Sequence, residues 1–248
     1  MKNPLTQKLF SLIFTLFLFS TSSAKSSSNK QVVAVKFHLV DDLEMTKDGV
    51  LMSNWITAEI INKSVMPEVN KIWAVANIEW QVVGIENIKS NAVGRGDSIK
   101  AVLNSSRDEE GVEKNREIRD MLALLPLKSE NPNLVNIYVV PFLGNTMQGI
   151  TFVKGKRIAV AQWSNKFSHG KLPPQECLVV EDHNQFQRGS FSRTLSHEFG
   201  HVLGLKHPEK SDVVVQRLMG GKKPGYELTE EEKKAAWEKA EGLSLNRQ

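Results

Sequence analysis

The stretch His197-Glu198-Phe199-Gly200-His201-Val202-Leu203-Gly204-Leu205-Lys206-His207 gathers three of the chain's 6 histidines and one carboxylate at spacings that suit metal chemistry. In a helix, residues four apart lie about 40° around and roughly 6 Å along the axis from each other. His197 and His201 would therefore present both imidazoles from one face, close enough to share an ion. Zinc accepts neutral imidazole nitrogen, tolerates tetrahedral geometry and, in a catalytic site, keeps one position for water. Glu198 follows the first histidine, so its carboxylate can reach toward that water rather than serve as a ligand. Gly204 can take the left-handed conformation that ends a helix, letting the chain double back and bring up His207 as the third ligand. A structural zinc site is usually closed by a fourth Cys or His, and this stretch offers none. The chemistry these residues suit is metal-assisted hydrolysis, with Glu198 taking the proton of the attacking water.

A helix bearing these groups needs a buried face to fix it, and Leu195, Phe199, Val202 and Leu203 supply one. Ser190 or Ser192 is placed to cap its start. Upstream, Val32 to Val40 reads as a buried strand with Val33, Val35, Phe37 and Leu39 on one face. Ser53 can cap a helix whose apolar positions run Ile56, Ile60, Val65, Val69, Ile72 and Ala76, with Pro67 as a kink or a second start. Ile78, Trp80 and Val82 predict a second strand, and Gly84 to Gly96 has turn chemistry. Arg107 to Leu125 predicts a surface helix closed by Pro126. Leu134 to Val140, Gly149 to Phe152 and Arg157 to Gln162 predict further strands. Strands separated by helices require crossovers, so the expected fold is α/β with a mostly parallel sheet.

The N-terminus bears on compartment. Lys2 and Lys8 precede an apolar run from Leu9 to Phe19, too short to span a bilayer, and Ser22-Ser23-Ala24 offers a cleavage site. The expectation is a signal peptide over 1–24, a polar leader over 25–30 and one catalytic domain over 31–248. Such a product is secreted, extracellular or periplasmic, with no stable membrane association once the signal is removed. The formal charge of +4 falls to about +2 without Lys2 and Lys8, and no Lys/Arg stripe with interleaved aromatics points to nucleic acid. The single Cys177 can close no internal disulfide, so stability must come from the core and from metal.

His197 to His207 resembles the extended zinc signature of the metzincin metallopeptidases. Leu218-Met219-Gly220 resembles the Met-containing turn that those enzymes place beneath the metal. The resemblance implies a twisted, five-stranded, mostly parallel sheet with one antiparallel edge strand, an active-site helix, a Met-turn and a C-terminal helix. By the same analogy Gly149 to Phe152 is the edge strand that pairs with an extended peptide substrate, and Met219 is a hydrophobic floor. Leu228-Thr229-Glu230-Glu231-Glu232 resembles the start of the C-terminal helix, and Thr229 with Glu232 has capping-box spacing in its own right. Gly221 stands where the astacin and serralysin branches carry Tyr, which leaves matrixin-like or pappalysin-like relatives. Kinship also raises Ca²⁺, although no residue run has calcium-loop spacing.

The reading is thus a secreted, monomeric zinc endopeptidase acting on protein or peptide substrates. It has Glu198 as general base, His197, His201 and His207 on one Zn²⁺, and Gly204 and Met219 as structural neighbours. Two other classes stay open: a non-catalytic zinc-binding or decoy module, and a zinc hydrolase of non-protein amides. His38, His169 and His183 read as ordinary histidines, Cys177 as a buried or free thiol, and Arg95-Gly96-Asp97 as a chance tripeptide. Glu230 and Lys234 are spaced to pair on the last helix.

Overall fold

The computed structural model describes residues 29–47, 50–89, 133–141, 149–152, 156–161, 191–209, 216–220 and 225–245. It is a mixed α/β fold built on a five-stranded sheet. The strands are β1 (Gln31–Val40), β4 (Ile78–Ile88), β5 (Val135–Val140), β6 (Gly149–Phe152) and β7 (Arg157–Ala161), in the order β4-β1-β5-β7-β6. The pairs β1/β4, β1/β5 and β5/β7 are parallel, and β6 joins β7 antiparallel at the edge. A separate antiparallel hairpin, β2 (Glu44–Lys47) and β3 (Val50–Ser53), follows β1.

Register aligns the apolar positions across the sheet. Val35 pairs with Val135, Phe37 with Ile137 and Leu39 with Val139, and the row continues to Ile158 and Val160. All of these are buried, as the period-2 pattern of β1 predicts. They pack into one core with Val69, Ile72 and Trp73 of a first helical segment and Leu195, Phe199 and Val202 of a second. Trp80 of β4 bridges the two segments. It stacks on Phe199 at 3.8 Å between ring centroids and meets Trp73 edge-on at 6.0 Å.

The first segment corrects the expected cap and bears out Pro67 as the start of a second helix. Its N-cap is Thr57, whose Oγ1 accepts from Ile60 N at 3.3 Å, whereas Ser53 closes strand β3. One turn, α1 (Ala58–Ile60), leads into a π-turn (Ile61–Val65) and then α2 (Met66–Trp73). Pro67 has no N–H to give to the Lys63 carbonyl. The wider turn just before it lets Met66 N bond to Ile61 O instead. Gly84 is not in a turn either: β4 runs through it to Ile88, with a register shift opposite Val35/Lys36 and Gly84 seated beside Lys36. The segments 90–132 and 162–190 lie outside the described residues, and with them Arg107 to Leu125, Arg95-Gly96-Asp97, His169, Cys177 and His183. Residues 1–28 are likewise outside. Among the described residues no helix is long and apolar enough to cross a membrane.

Helix α3 (Phe191–Val202) carries His197 and His201, and α4 (Glu230–Glu241) lies near the end of the described residues. Ser192 lies inside α3 and is fully buried, so it is not the cap; Ser190 is outside the described residues. The capping box of α4 forms as its sequence predicts. Thr229 Oγ1 accepts from Glu232 N at 3.2 Å, and Glu232 Oε2 accepts from Thr229 N at 2.9 Å. Glu230 pairs with Lys233, three residues on, at 2.6 Å rather than with Lys234.

Candidate metal centre

The end of α3 builds the site. Gly204 adopts φ +82°, where L side chains are strained. Its N–H bonds to His201 O at 3.0 Å, and Leu205 N bonds to Gly200 O at 2.9 Å. These two bonds are the paired closures of a Schellman motif. The reversal they enforce carries the chain back so that His207 faces the helix.

The three histidines converge on one point. His207 Nε2 lies 3.0 Å from His197 Nε2 and 3.1 Å from His201 Nε2. Tetrahedral zinc with Zn–N near 2.05 Å sets its ligand nitrogens about 3.3 Å apart, close to these two separations, and all three ligand atoms lie within 4.8 Å of one another. The outer nitrogens fix the tautomers of two of the rings. His197 Nδ1 is 2.8 Å from Leu218 O, and His201 Nδ1 is 2.9 Å from Leu205 O. A carbonyl can only accept, so both Nδ1 atoms carry the proton and both Nε2 atoms present a lone pair inward. Burial, above all, pulls the His197 pKa down to about 3 and lowers that of His201, so both rings are neutral near neutral pH. Two neutral imidazoles with inward lone pairs, and a third imidazole nitrogen brought within 3.1 Å of both, fit a divalent cation such as Zn²⁺.

Glu198 lies on the same helix and is 4% exposed. Thr151 Oγ1 donates to its Oε2 at 2.5 Å, across from the edge strand β6. Desolvation dominates its electrostatics and pushes its pKa up to about 7, against the pull of Thr151 and Arg193. Gly149, two residues before Thr151 on the same face of β6, allows this approach. A Cβ there would stand 2.8 Å from both Cγ and Oε1 of Glu198. The cleft beside these groups has a volume of about 660 Å³ and is lined by Gly149, Ile150 and Thr151, by Glu198 and the three histidines, and by Gly204 to Lys206.

Met219 is fully buried beneath the helix, and a Cβ on Gly200 would overlap its Sδ. The Met219 segment is held on several sides. Leu218 N bonds to Glu227 O at 2.8 Å, and Gly225 N bonds to Arg217 O at 2.7 Å. Arg217 Nη2 in turn pairs with Glu232 Oε1 at 2.6 Å, which ties the segment to α4.

The structure thus brings His197, His201 and His207 together, places Glu198 in the same cleft, and sets Gly204 at the turn and Met219 under the helix. Sequence reasoning did not single out Thr151, Gly149, Gly200 or Arg193. A glycine within a four-residue strand was a usable signal for close approach, and Arg193 stands one helical turn before His197. His38, read as an ordinary histidine, is buried on the opposite sheet face. It lies between Glu86 Oε1 at 2.7 Å and Asn136 Oδ1 at 2.9 Å and stacks on Tyr138.

No family model and no curated protein matches the chain. Among solved structures it resembles a zinc-dependent peptidase from Methanocorpusculum labreanum, at 12% identity and a TM-score of 0.36, over 82% of this chain and 99% of that one. It also resembles a chain of a chaperone-substrate complex, at 12% identity and a TM-score of 0.38, over 88% of this chain but only 35% of the other.

Proposed function

We propose that residues 31–248 form the catalytic domain of a secreted, metzincin-type zinc endopeptidase, made with a signal peptide over residues 1–24. The observation that carries this reading is the convergence of three histidine Nε2 atoms beside a buried carboxylate, next to a strand that is the sheet edge among the described residues.

His197, His201 and His207 would hold the ion. Zinc bound there would bring the pKa of its water toward neutrality and would polarise a substrate carbonyl. Glu198 accepts the proton of the attacking water and delivers it to the leaving nitrogen. With Thr151 holding Oε2, Oε1 is the oxygen that moves the proton. Among the described residues strand β6 pairs with β7 alone, and its other side suits an extended peptide added as a further strand. That edge favours a peptide over a compact small amide. Met219 fills space under the ligand helix and touches no reacting atom.

Digestion of casein with purified mature protein tests the reading, run with wild type, with Glu198→Ala and with chelator. Cleavage that is lost in both controls is the expected result. Zinc uptake without any cleavage would point to a binding module, and zinc-dependent activity confined to non-peptide amides to a different hydrolase. Cleavage surviving Glu198→Ala would overturn the proposed base.

A further inference from the structure

We infer that Arg193 is a positioning residue for the metal centre, acting through the backbone carbonyl of Leu218; this rests on the zinc reading above. Arg193 is 7% exposed, and its guanidinium grips two carbonyls of the Met219 region. Its Nη2 donates to Leu218 O at 3.0 Å and its Nε to Gly225 O at 2.9 Å. The Leu218 oxygen is also the acceptor for His197 Nδ1–H at 2.8 Å. One carbonyl therefore takes one donor from the guanidinium and one from a ligand ring, which matches its two lone pairs.

The shared oxygen is what sets Arg193 apart from a simple staple between helix and loop. The direction in which His197 Nε2 points depends on where the hydrogen bond at Nδ1 holds the ring. That bond is only as well placed as the Leu218 carbonyl. Leu218 is in a turn, not a ladder, and its carbonyl is not locked by regular secondary structure. Arg193 supplies the lock, because a planar fork holds two acceptors in one fixed geometry, whereas an ammonium offers rotatable donors on a flexible stem. A buried guanidinium is costly to desolvate, and here it is set against carbonyls that flank Met219 on both sides. Arg193 thus joins the helix that carries two ligands, the carbonyl that orients one of them, and the segment beneath them.

The experiment uses the mature full chain as wild type, Arg193→Lys and Arg193→Met. Zn²⁺ affinity is read by competition with a chromophoric chelator, and site geometry by the visible absorption of the Co²⁺-loaded protein. The metal-free melting temperature reports folding separately. Wild type is expected to bind one equivalent. Both variants are expected to fold, to bind Zn²⁺ about 10- to 100-fold more weakly and to shift the Co²⁺ bands, although one keeps the charge and the other the bulk. A folded variant with wild-type affinity and unshifted bands overturns the inference. A wild-type chain that takes up no zinc sinks the zinc reading itself. Imidazole nitrogen NMR of the metal-free wild type needs no variant to fold. His197 protonated at Nδ1 supports the relay, and protonation at Nε2 overturns it.

Discussion

Thr151 Oγ1 sits 2.5 Å from Glu198 Oε2, so a side chain of the sheet edge holds the carboxylate of the helix that carries His197 and His201. The edge on which a peptide would lie and the group that would move its protons are thereby one mechanical unit. Thr151→Val keeps the shape and removes the donor. Losing a hydrogen bond to a charged group costs about 1.5–3 kcal/mol, so kcat is expected to fall roughly 10- to 150-fold while Zn²⁺ affinity stays the same. Steady-state kinetics with a chelator-competition assay check it. Zinc affinity falling in step with kcat would contradict the assignment.

Gly149→Ala probes the same unit by steric means. Its Cβ would stand 2.8 Å from Glu198 Cγ and Oε1, so the carboxylate must move. The expected outcome is a folded, zinc-binding chain with little peptidase activity. Full activity would show that the site tolerates a displaced Glu198.

Gly200→Ala separates helix propensity from packing. On propensity alone the change would stabilise α3 by up to about 1 kcal/mol. The overlap of the new Cβ with Met219 Sδ argues the other way, and overpacking typically costs about 1–3 kcal/mol. A lowered melting temperature is expected, and a raised one would mean that Met219 repacks freely.

What the sequence made legible was local. The three histidines, Gly204 and the capping box of α4 each act within eleven residues or fewer, so spacing alone exposes them. Thr151 and Glu198 are 47 residues apart, and Arg193 and Leu218 are 25 apart. No periodicity couples such pairs. Gly84 read as a turn because glycine is a poor strand former, yet pairing with β1 overrides that preference. Ser53 is the better cap in isolation, and the β2/β3 hairpin decides for Thr57 by drawing Ser53 into a strand.

The raised pKa of Glu198 has a consequence for the metal-free protein. Folding lifts it from 4.5 to about 7, so the folded state holds the proton more tightly than the unfolded chain. Stability from this group therefore falls as pH rises from about 4.5 to about 7. Glu198→Gln abolishes that loss. The variant should gain about 3 kcal/mol over wild type across this window, as thermal melts in chelator would show. A pH-independent difference between the two would contradict the burial argument.

Lys206 brings an ammonium to the cleft next to His207, and it is the lysine or arginine among the described lining residues. Peptides with acidic side chains near the scissile bond should be cleaved faster than basic ones, and Lys206→Glu should reverse that order. The ratio of kcat/KM for a matched peptide pair at low and high salt reads it out. An unchanged ratio would place the charge outside the substrate's reach.

The most direct test titrates Zn²⁺ into the metal-free mature chain while following peptide hydrolysis in the same sample. Activity should climb linearly and stop at one equivalent, and Glu198→Ala should bind the same single equivalent and stay inactive. Hydrolysis without zinc, or an active Glu198→Ala chain, would contradict the account.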